Sequence, residues 1–427
     1  MSKITSLLLQ RPTRAQDKGR TDFLIHLADH APLSSQMGEV SLSLFVLNRQ
    51  CTGEYKRVVV PMTKTASKCM ALILAGVLLA FAVVTCQKAK NRYTKYTDTF
   101  FDAFDTLVTV VVYVQSEEEF DSYYQQIRAR FLELHRLYDK YNEYEGINNI
   151  KTINDNAGIR PVQVEQEIID LILFSKDWCA RTGGKTNIAL GSVLEIWHEY
   201  REQGLYDPAS AKLPPMEDLL EAAQHIDIDK VIVDAENGTV FLSDSEMSLD
   251  VGAVAKGYAT EVVAREMMAA GLKSGMISAG GNVRAIGKPL DGVRECWGVG
   301  IQNPVESIVA DDGVLDVVFV NDASVVSSGD YQRYYVVDGT VYHHLIDPAT
   351  LMPARYYHAV TVVTEDSGVA DFLSTAVFLL PYDQSRSLVE NLDGVEALWV
   401  MPDGKVEATS GMKRIMRSHG ASGTKAM

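Results

Sequence analysis

The chain has 427 residues, which is enough for one large domain or two ordinary ones. Hydrophobic residues make up 47% of it and charged residues 22%, as in ordinary globular proteins. The net charge of −16 argues against nucleic-acid binding, which needs a basic face. An anionic ligand stays possible, because a metal ion or a helix N-terminus can supply local positive charge. Five cysteines without a C-x-x-C pair indicate neither a disulfide framework nor a structural zinc site.

An uncharged apolar run, Met70–Thr85, follows two lysines and ends at Cys86. This pattern predicts a signal peptide over residues 62–86. The run is short for a membrane span, which needs roughly 20 apolar residues. The closing Val-Val-Thr-Cys resembles a bacterial lipobox, so we expect a lipid anchor at Cys86 that holds the protein on the extracytoplasmic side of a bacterial cell membrane. Thr85 departs from the small residue usual there, and a short uncleaved membrane anchor is the alternative.

The position of this segment bears on where translation starts. Signal peptides begin at the initiator methionine. We therefore expect translation to start at Met62, with residues 1–61 a mis-called extension or a disordered tail; a genuine cytoplasmic tail before an anchor is the alternative. Residues 87–98 are polar and basic and are predicted to be a tether. Residues 99–412 are predicted to form one catalytic domain and residues 413–427 a tail.

Helical and strand periods alternate irregularly along the predicted domain. Phe100–Val114 is rich in Phe, Val and Thr and predicts a strand, and apolar residues at helical spacing predict helices over Glu117–Tyr141 and Val164–Arg181. Three hairpins are indicated by turn pairs: Asn237-Gly238, Asp338-Gly339 and Asp403-Gly404. Mixed strands, hairpins and few helices favour an α+β fold over an alternating βαβ series.

Two glycine-containing segments could lie close to a ligand. In Ser248–Gly271 a short strand runs into a helix, whose N-terminal N–H groups and Lys256 would attract negative charge. A solvated lysine and a capping Asp250 are the alternative. Gly280-Gly281 lies between two apolar strands and permits close approach of a ligand, although a plain turn fits equally well.

Adjacent histidines mark the segment Val325–Pro353. A polar turn is predicted at residues 327–330, followed by a hairpin whose return strand carries His343 and His344. Neighbours on a strand face opposite sides, so only one histidine is expected to face a pocket. A structural role for the other, or for both, is the alternative.

Polar side chains interrupt the apolar segment Val369–Leu380, which is predicted to be a helix. Asp371, Ser374 and Thr375 lie at i, i+3 and i+4 and share one face. A carboxylate with two hydroxyls suits Mg²⁺, which prefers oxygen ligands. Hydroxyls bonding back to the first helical turn are the alternative.

Together these segments resemble the ApbE-type FAD:protein FMN transferases, from near Phe100 to near Thr409. Five motifs occur in the family's order: LDVGAVAKGYA at 249–259, AGGN at 279–282, SSGDYQR at 327–333, HHLIDP at 343–348 and ADFLSTA at 370–376. The resemblance implies a single large T-fold-related α+β domain of mixed, largely antiparallel sheets with flanking helices.

The resemblance also implies an activity. In this family FMN is moved from FAD onto a threonine or serine hydroxyl of an acceptor flavoprotein through a phosphoester bond, with release of AMP. It implies Mg²⁺ as cofactor, FAD as substrate and an acceptor from a respiratory or extracellular electron-transfer system. An FAD pyrophosphatase and a non-catalytic FAD-binding lipoprotein are the alternatives.

Site residues follow from the same resemblance. Mg²⁺ would be held by Asp371, Ser374, Thr375 and the backbone carbonyl of Ala253. His344 would be the catalytic-site histidine, with an unperturbed pKa of about 6.5 suited to taking a proton from the acceptor hydroxyl. The residues implied to contact FAD are Phe104, Tyr141, Lys185, Thr186, Asn187, Asp250, Lys256 and Leu345.

Three positions depart from the family pattern. Phe104 replaces a methionine that is common before Gly-Thr, and Lys185–Asn187 replaces Ala-Phe-Asp. Leu351 replaces the glycine that commonly follows Asp-Pro-x-Thr. The first two are expected to alter contacts with the flavin and the third to change a turn, so activity is expected to survive.

Overall fold

Residues 44–49, 55–60, 93–305 and 313–424 are described in the computed structural model of the chain. The chain divides into two units, Met1–Thr85 and Cys86–Met427. In the first, β1 (Leu44–Arg49) and β2 (Tyr55–Val60) pair as an antiparallel hairpin, where no element had been predicted. The predicted signal segment and Cys86 lie outside the described residues.

The second unit contains strands and helices in irregular alternation. Its strands are β3 (Thr94–Ala103), β4 (Thr106–Val114), β5 (Val162–Gln163), β6 (Val231–Asp234), β7 (Thr239–Leu242), β8 (Gly275–Ala279), β9 (Asn282–Ile286), β10 (Trp297–Gln302), β11 (Val314–Val320), β12 (Ser324–Gly329), β13 (Tyr334–Val337), β14 (Thr340–His343), β15 (Ile346–Asp347), β16 (Met352–Pro353), β17 (Ala359–Thr364), β18 (Glu396–Val400) and β19 (Val406–Ala408). Its α-helices are α1 (Glu117–Tyr138), α2 (Ile150–Asp155), α3 (Gln166–Arg181), α4 (Gly191–Tyr206), α5 (Met216–Ala222), α6 (Ala255–Ala269), α7 (Ser367–Phe378), α8 (Tyr382–Glu390) and α9 (Ser410–Ile415).

An eight-stranded antiparallel sheet organises this unit. Its order is β19-β18-β17-β12-β9-β8-β4-β3. Helices α1, α3, α6 and α7 contribute side chains to the hydrophobic cluster on one face, and the β10–β11 hairpin and α9 contribute to the cluster on the other. Alternation along β12 shows the two layers, since Val325 packs in the second cluster and Val326 in the first. The predicted α+β class with largely antiparallel sheets is confirmed.

Helix α1 shows how the pattern determines an element. Ser116 caps it by accepting a hydrogen bond from the Glu119 N–H at 3.2 Å, and acidic residues fill the first turn. Its buried face includes Phe120, Ile127 and Phe131, spaced as helical periodicity requires. The predicted helix therefore exists, although it ends at Tyr138 rather than at Tyr141.

A third, smaller hydrophobic cluster joins α4 and α5 to the β13–β14 hairpin. Trp197 of α4 packs with Tyr335 and Leu351, and its indole N–H donates to the Leu351 carbonyl at 2.9 Å. Leu351 is buried and has a φ of 59°, a left-handed conformation that favours glycine. The departure at Leu351 therefore falls on a turn, in a conformation that glycine would adopt without strain.

The predicted strand Phe100–Val114 is wrong in one respect, because two strands meet there. β3 and β4 are joined by Phe104-Asp105, with φ values of 55° and 48°. Two positive φ angles are the signature of a type I′ turn, usually built from Asn-Gly or Asp-Gly. Phe-Asp is not such a pair, so the sequence did not indicate the turn.

Three other boundaries differ from the predictions. β3 begins at Thr94, so the tether predicted for 87–98 overlaps a paired strand. The predicted tail from 413 onwards packs on the domain, since Met416 is buried and Ser418 donates to Asp316. Residues 327–329 of the predicted polar turn belong to β12. In the described part of the chain, no helix combines the length and apolar character needed to cross a membrane.

Candidate functional site

A cleft of about 300 Å³ opens at one end of the large sheet. The β3–β4 turn, the segment before α6, the β8–β9 turn, the end of β12 and the segment after β14 all contribute to its lining. Every site residue inferred from the sequence lines it except Ser374: Phe104, Tyr141, Lys185, Thr186, Asn187, Asp250, Ala253, Lys256, His344, Leu345, Asp371 and Thr375. Residues far apart in the chain are therefore brought to one place.

The inner end of the cleft is defined as Ala253, Asn282, Asp371 and Thr375, and the Asp371 carboxylate there is fixed by buried hydrogen bonds. Asp371 Oδ2 accepts from the Gly257 N–H at 2.8 Å and from Asn282 Nδ2 at 3.2 Å. Gly257 lies in the first turn of α6, so the carboxylate satisfies a helix N–H that has no partner within the helix. Burial raises the pKa of Asp371, while Lys256, the Gly257 amide and Asn282 oppose that rise.

A glycine is required where α6 and α7 meet. A Cβ on Gly257 would lie 2.3 Å from the Cβ of Asp371 and 2.3 Å from the Ser367 carbonyl oxygen. Gly280, at the β8–β9 turn with φ 57°, is packed similarly, since a Cβ there would meet Thr106 Oγ1 at 2.3 Å. Backbone thus approaches side chain closely at both glycines, and Gly280 lies in the β8–β9 turn.

The donor set at the inner end is one that fits Mg²⁺. Asp371, Thr375 and Ala253 line the cleft and offer a carboxylate, a hydroxyl and a carbonyl, all oxygen donors of the kind Mg²⁺ prefers. Ser374 differs: it is fully buried, and its hydroxyl bonds Ser328 Oγ at 2.8 Å and the Asp371 carbonyl at 2.9 Å. That back-bonding is the structural alternative considered for this segment, and it places Ser374 behind the lining. Among the described residues no cluster of three or more His, Cys, Asp or Glu could hold a metal.

The lip of the cleft, defined as Asp105, Lys140, Tyr141, Lys185 and Arg333, consists of exposed or half-buried side chains. Its two lysines are each paired with a carboxylate. Lys140 Nζ lies 2.8 Å from Asp250 Oδ2, and Lys185 Nζ lies 2.8 Å from Asp347 Oδ1. Burial works against ionisation of Asp250, but Lys140 and the Gly252 N–H hold its pKa below the usual range.

Aromatic rings line the same region. Phe104 contacts His135 and Tyr138 through its ring, and its N–H donates to His135 Nδ1 at 3.2 Å. Tyr141 is 56% exposed and lies beside the ring of His198, with Lys140 Nζ 5.1 Å from its centre. A flat ligand would therefore find ring surfaces on the lip.

The side-chain polar groups of Thr186 and Asn187 are used locally. The Thr186 hydroxyl donates to the Phe372 carbonyl, and the Asn187 amide donates to the Ile226 carbonyl and accepts from the Ala189 N–H. Of the three residues 185–187, Lys185 is the one that presents a charged side chain to the cleft.

The two histidines differ in their partners. His343 Nε2 donates to the Ala354 carbonyl at 2.7 Å, and its Nδ1 accepts from the Leu345 N–H at 3.2 Å. His344 Nδ1 is buried without a hydrogen-bond partner among the described residues. Both residues contribute to the lining of the cleft. Because β14 ends at His343, strand alternation does not determine which way His344 faces.

The pKa of His344 differs from the expected value of about 6.5. Burial, followed by the nearby cations Arg333, Lys256 and Arg201, lowers its pKa to about 3. The ring is therefore neutral at physiological pH, with a nitrogen available for a ligand. An anion bound among these cations would raise the pKa again, because it favours the protonated ring.

Several lining residues escaped the sequence analysis. Lys140, His198 and Arg201 carry no motif that distinguishes them from surface or core residues. Asn282 ends the AGGN motif and was missed in spite of it. Arg333 ends the SSGDYQR motif and could have been singled out by that position.

An antiparallel α+β domain thus brings cations, aromatic rings and buried oxygen donors together in one cleft. The ApbE family model matches residues 104–399, and the chain belongs to the ApbE family. It is a transferase.

Relatives and structures agree with this assignment. A FAD:protein FMN transferase of Treponema pallidum is 34% identical over 275 residues, covering 62% of this chain and 73% of the relative. One from Klebsiella pneumoniae is 28% identical, covering 62% and 80%. The crystal structure of the ApbE protein from Thermotoga maritima superposes with a TM-score of 0.65 at 29% identity, covering 76% of this chain and 99% of that one.

Proposed function

We propose that the protein is a Mg²⁺-dependent FAD:protein FMN transferase, which moves FMN from FAD onto a threonine or serine hydroxyl of an acceptor flavoprotein and releases AMP. The observation that carries the proposal is the convergence of the five motifs on one cleft, with all the inferred residues except Ser374 in its lining. The Treponema pallidum and Klebsiella pneumoniae relatives, both named FAD:protein FMN transferase, support the substrate and the reaction.

Each part of the cleft suits one part of FAD. The exposed ring of Tyr141, with Phe104 and Leu345, offers apolar surface for the isoalloxazine. Lys256 and the lysines of the lip offer positive charge to the diphosphate, which must compete with Asp250 and Asp347 for it. A protein with net charge −16 can thus bind an anion through a local concentration of cations.

Mg²⁺ would be held by Asp371, Thr375 and the Ala253 carbonyl, with Ser374 supporting Asp371 from behind. When bound, the ion supplies charge neutralisation to the diphosphate and the leaving phosphate. The Gly257 N–H and Asn282 hold Asp371 Oδ2, which fixes the orientation of the carboxylate before any ligand arrives.

His344 provides a neutral ring with an unpartnered nitrogen at the cleft. In the transfer the acceptor oxygen forms a bond to the FMN phosphorus, and the bond from that phosphorus to the AMP oxygen breaks. The hydroxyl proton passes to His344, whose basicity rises as the cations around it are neutralised by the bound diphosphate.

The proposal includes location. The segment 62–86 ends in a lipobox-like Val-Val-Thr-Cys, and we place the domain on the extracytoplasmic side of a bacterial membrane through a lipid on Cys86. The acceptor would then belong to a respiratory or extracellular electron-transfer system. Metabolic labelling with a radioactive fatty acid should label the wild-type chain and not Cys86→Ala; equal labelling of both would overturn the anchor.

The test of the activity is incubation of the purified protein with FAD, Mg²⁺ and candidate acceptors, read by in-gel flavin fluorescence and by AMP release. Covalent fluorescence on an acceptor with equimolar AMP supports transfer. Rapid AMP release without acceptor indicates FAD hydrolysis, and FAD binding without AMP under any condition indicates a carrier; either result would overturn the proposal.

A further inference from the structure

The outer face of the β13–β14 hairpin is apolar and exposed. Tyr334, Val336 and Val341 are 41%, 43% and 43% exposed. Val336 and Val341 are opposite each other in the register, and Tyr334 lies two residues before Val336, so all three share one face. Val336 and Val341 do not line the cleft, and neither does Tyr334, so this face is separate from the proposed FAD site.

The inner face of the hairpin explains why it holds its position. Tyr335 and Val337 are buried against α4 and α5, and the Tyr335 hydroxyl donates to the Lys212 carbonyl at 3.2 Å. The ring of Tyr342 stacks with Trp197. A two-stranded sheet alone is marginally stable, so this packing makes the hairpin a firm platform.

The apolar face ends next to the segment that carries His344. His343 is opposite Tyr334 in the register, and the His344 N–H donates to the Arg333 carbonyl at 3.1 Å. The open end of the hairpin is therefore the edge of the cleft at His344. A polypeptide lying on this face would have its next residues at the segment that carries His344.

Two guanidinium groups flank that edge. Arg333 and Arg355 are exposed, and neither forms an ion pair with a carboxylate among the residues that the structure describes. Arg355 lies over the ring of Tyr342 at 5.1 Å. Burial, and after it Arg333, lowers the pKa of His344. Burial also lowers the pKa of His343, where the hydrogen bond to Ala354 and the carboxylate of Asp330 act against it and Arg355 acts with it.

We propose that the outer face of the β13–β14 hairpin, with Arg333 and Arg355 at its end, is the docking surface for the acceptor protein. The occupant is the acceptor segment that carries the flavinylated hydroxyl, with apolar side chains on the valine pair and acidic side chains at the two arginines. The proposal rests on the proposed function.

Charge complementarity and continuity with the cleft favour this occupant. The chain as a whole has a net charge of −16, so two arginines without carboxylate partners form a locally basic surface beside the apolar patch. Such a surface favours a partner with apolar and acidic side chains. The surface also delivers the partner to His344 rather than to a remote face of the protein.

The test uses the acceptor that the wild-type protein labels in the assay above, with steady-state kinetics of labelling. Val336→Glu removes an apolar contact and adds a repelling charge, and Arg355→Glu reverses a charge outside the cleft. Each should raise the KM for the acceptor about tenfold, with kcat within twofold and with unchanged FAD affinity in a fluorescence titration. The matched control is Ile232→Glu on β6, an exposed strand residue of the three-stranded sheet β5-β7-β6, which should leave the KM unchanged.

The outcomes separate the two proposals. If the wild-type protein labels no acceptor, the proposed function fails. If it labels an acceptor and both variants keep the wild-type KM, the docking surface is overturned and the function stands. Circular dichroism of each variant shows whether it is folded, and a folded Arg355→Glu decides the matter if Val336→Glu does not fold.

Discussion

At the inner end of the cleft the Asp371 carboxylate is held by buried hydrogen bonds, whereas the two lysines of the lip are held in ion pairs with carboxylates. Asp371 is fixed by the Gly257 N–H and by Asn282, both inside the packed meeting of α6, α7 and β9. At the lip, Lys140 is paired with Asp250 and Lys185 with Asp347.

The difference has a consequence for binding. The oxygen atoms of the inner end are in position before a ligand arrives, so no ion pair has to be broken there for binding. At the lip an anion must compete with carboxylates that already hold the lysines, and binding there exchanges one ion pair for another. We therefore expect the inner end to tolerate almost no substitution and the lip to tolerate many.

The largest effect is expected from Asp371→Asn. Asparagine keeps the shape and can still accept from the Gly257 N–H, but it removes the charge from the proposed oxygen site. We expect labelling to fall at least about a thousandfold, because a neutral amide is a poor ligand for a hard cation. Stability should be unchanged or higher, because an ionised buried carboxylate is costly. Initial rates and thermal unfolding measure the two effects.

The matched control is Asp366→Asn on the same helix. Asp366 caps α7 by accepting from the Val369 N–H at 3.0 Å and does not line the cleft. Asparagine is an equally good cap, so activity should stay within about twofold. If the Asp371→Asn variant labelled the acceptor as fast as the Asp366→Asn variant does, the role given to the inner end would be contradicted.

The histidine pair should separate catalysis from stability. His344→Ala removes the unpartnered ring, and we expect kcat to fall about a hundredfold with little change in stability. His343→Ala leaves the Leu345 N–H and the Ala354 carbonyl without partners, and we expect the free energy of unfolding to fall by about 1–3 kcal/mol. Denaturant unfolding and single-turnover rates provide the comparison. Equal effects of both changes on kcat would remove the distinction.

Much of this architecture could be predicted from the sequence, and the failures have identifiable causes. Periodicity located α1 and α3, and Asn-Gly or Asp-Gly pairs located three hairpins, because these signals are local. The turn at Phe104-Asp105 was missed because neither residue type predicts a positive φ.

The site itself divides in the same way. The motif residues were found because their order matches the family. The pairs Lys140–Asp250 and Lys185–Asp347 join residues distant in the chain, and no local pattern reports such a contact. Ser374 shares the helix face of Asp371, but its hydroxyl turns to Ser328, and spacing on a helix does not determine a rotamer.

Gly257→Ala tests the packing of the inner end. The new Cβ would lie 2.3 Å from the Asp371 Cβ and from the Ser367 carbonyl oxygen, both on α7. The helices must separate, which should lower the free energy of unfolding by about 1–3 kcal/mol and lower labelling with it. Gly300→Ala is the control, because a Cβ there meets only Val314 at 3.6 Å. Equal stability of the two variants would show that α6 and α7 can separate freely.

Acid should weaken the fold through His344. Its pKa is lowered to about 3 in the folded protein, so the unfolded chain binds the proton more readily and stability falls as pH falls below about 6.5. The groups facing the ring are His343, Arg333, Lys256 and Arg201. Between pH 7.5 and 5.5 the wild type should lose about 1 kcal/mol more than His344→Asn, which cannot titrate. Urea unfolding at the two pH values measures this; parallel losses would show that His344 is not the group responsible.

The smallest effect is expected at the lip, from Asp105→Gly. Asp105 is exposed and has a φ of 48°, which glycine adopts without steric cost. A glycine at the second position of a type I′ turn is the common choice, so the free energy of unfolding should rise by up to about 1 kcal/mol. Asp98→Gly, on β3 at an ordinary φ, should instead lower it, because glycine is unfavourable within a strand. If Asp105→Gly lowers stability as much as Asp98→Gly does, the β3–β4 turn is not strained, and the lip is as firmly built as the inner end.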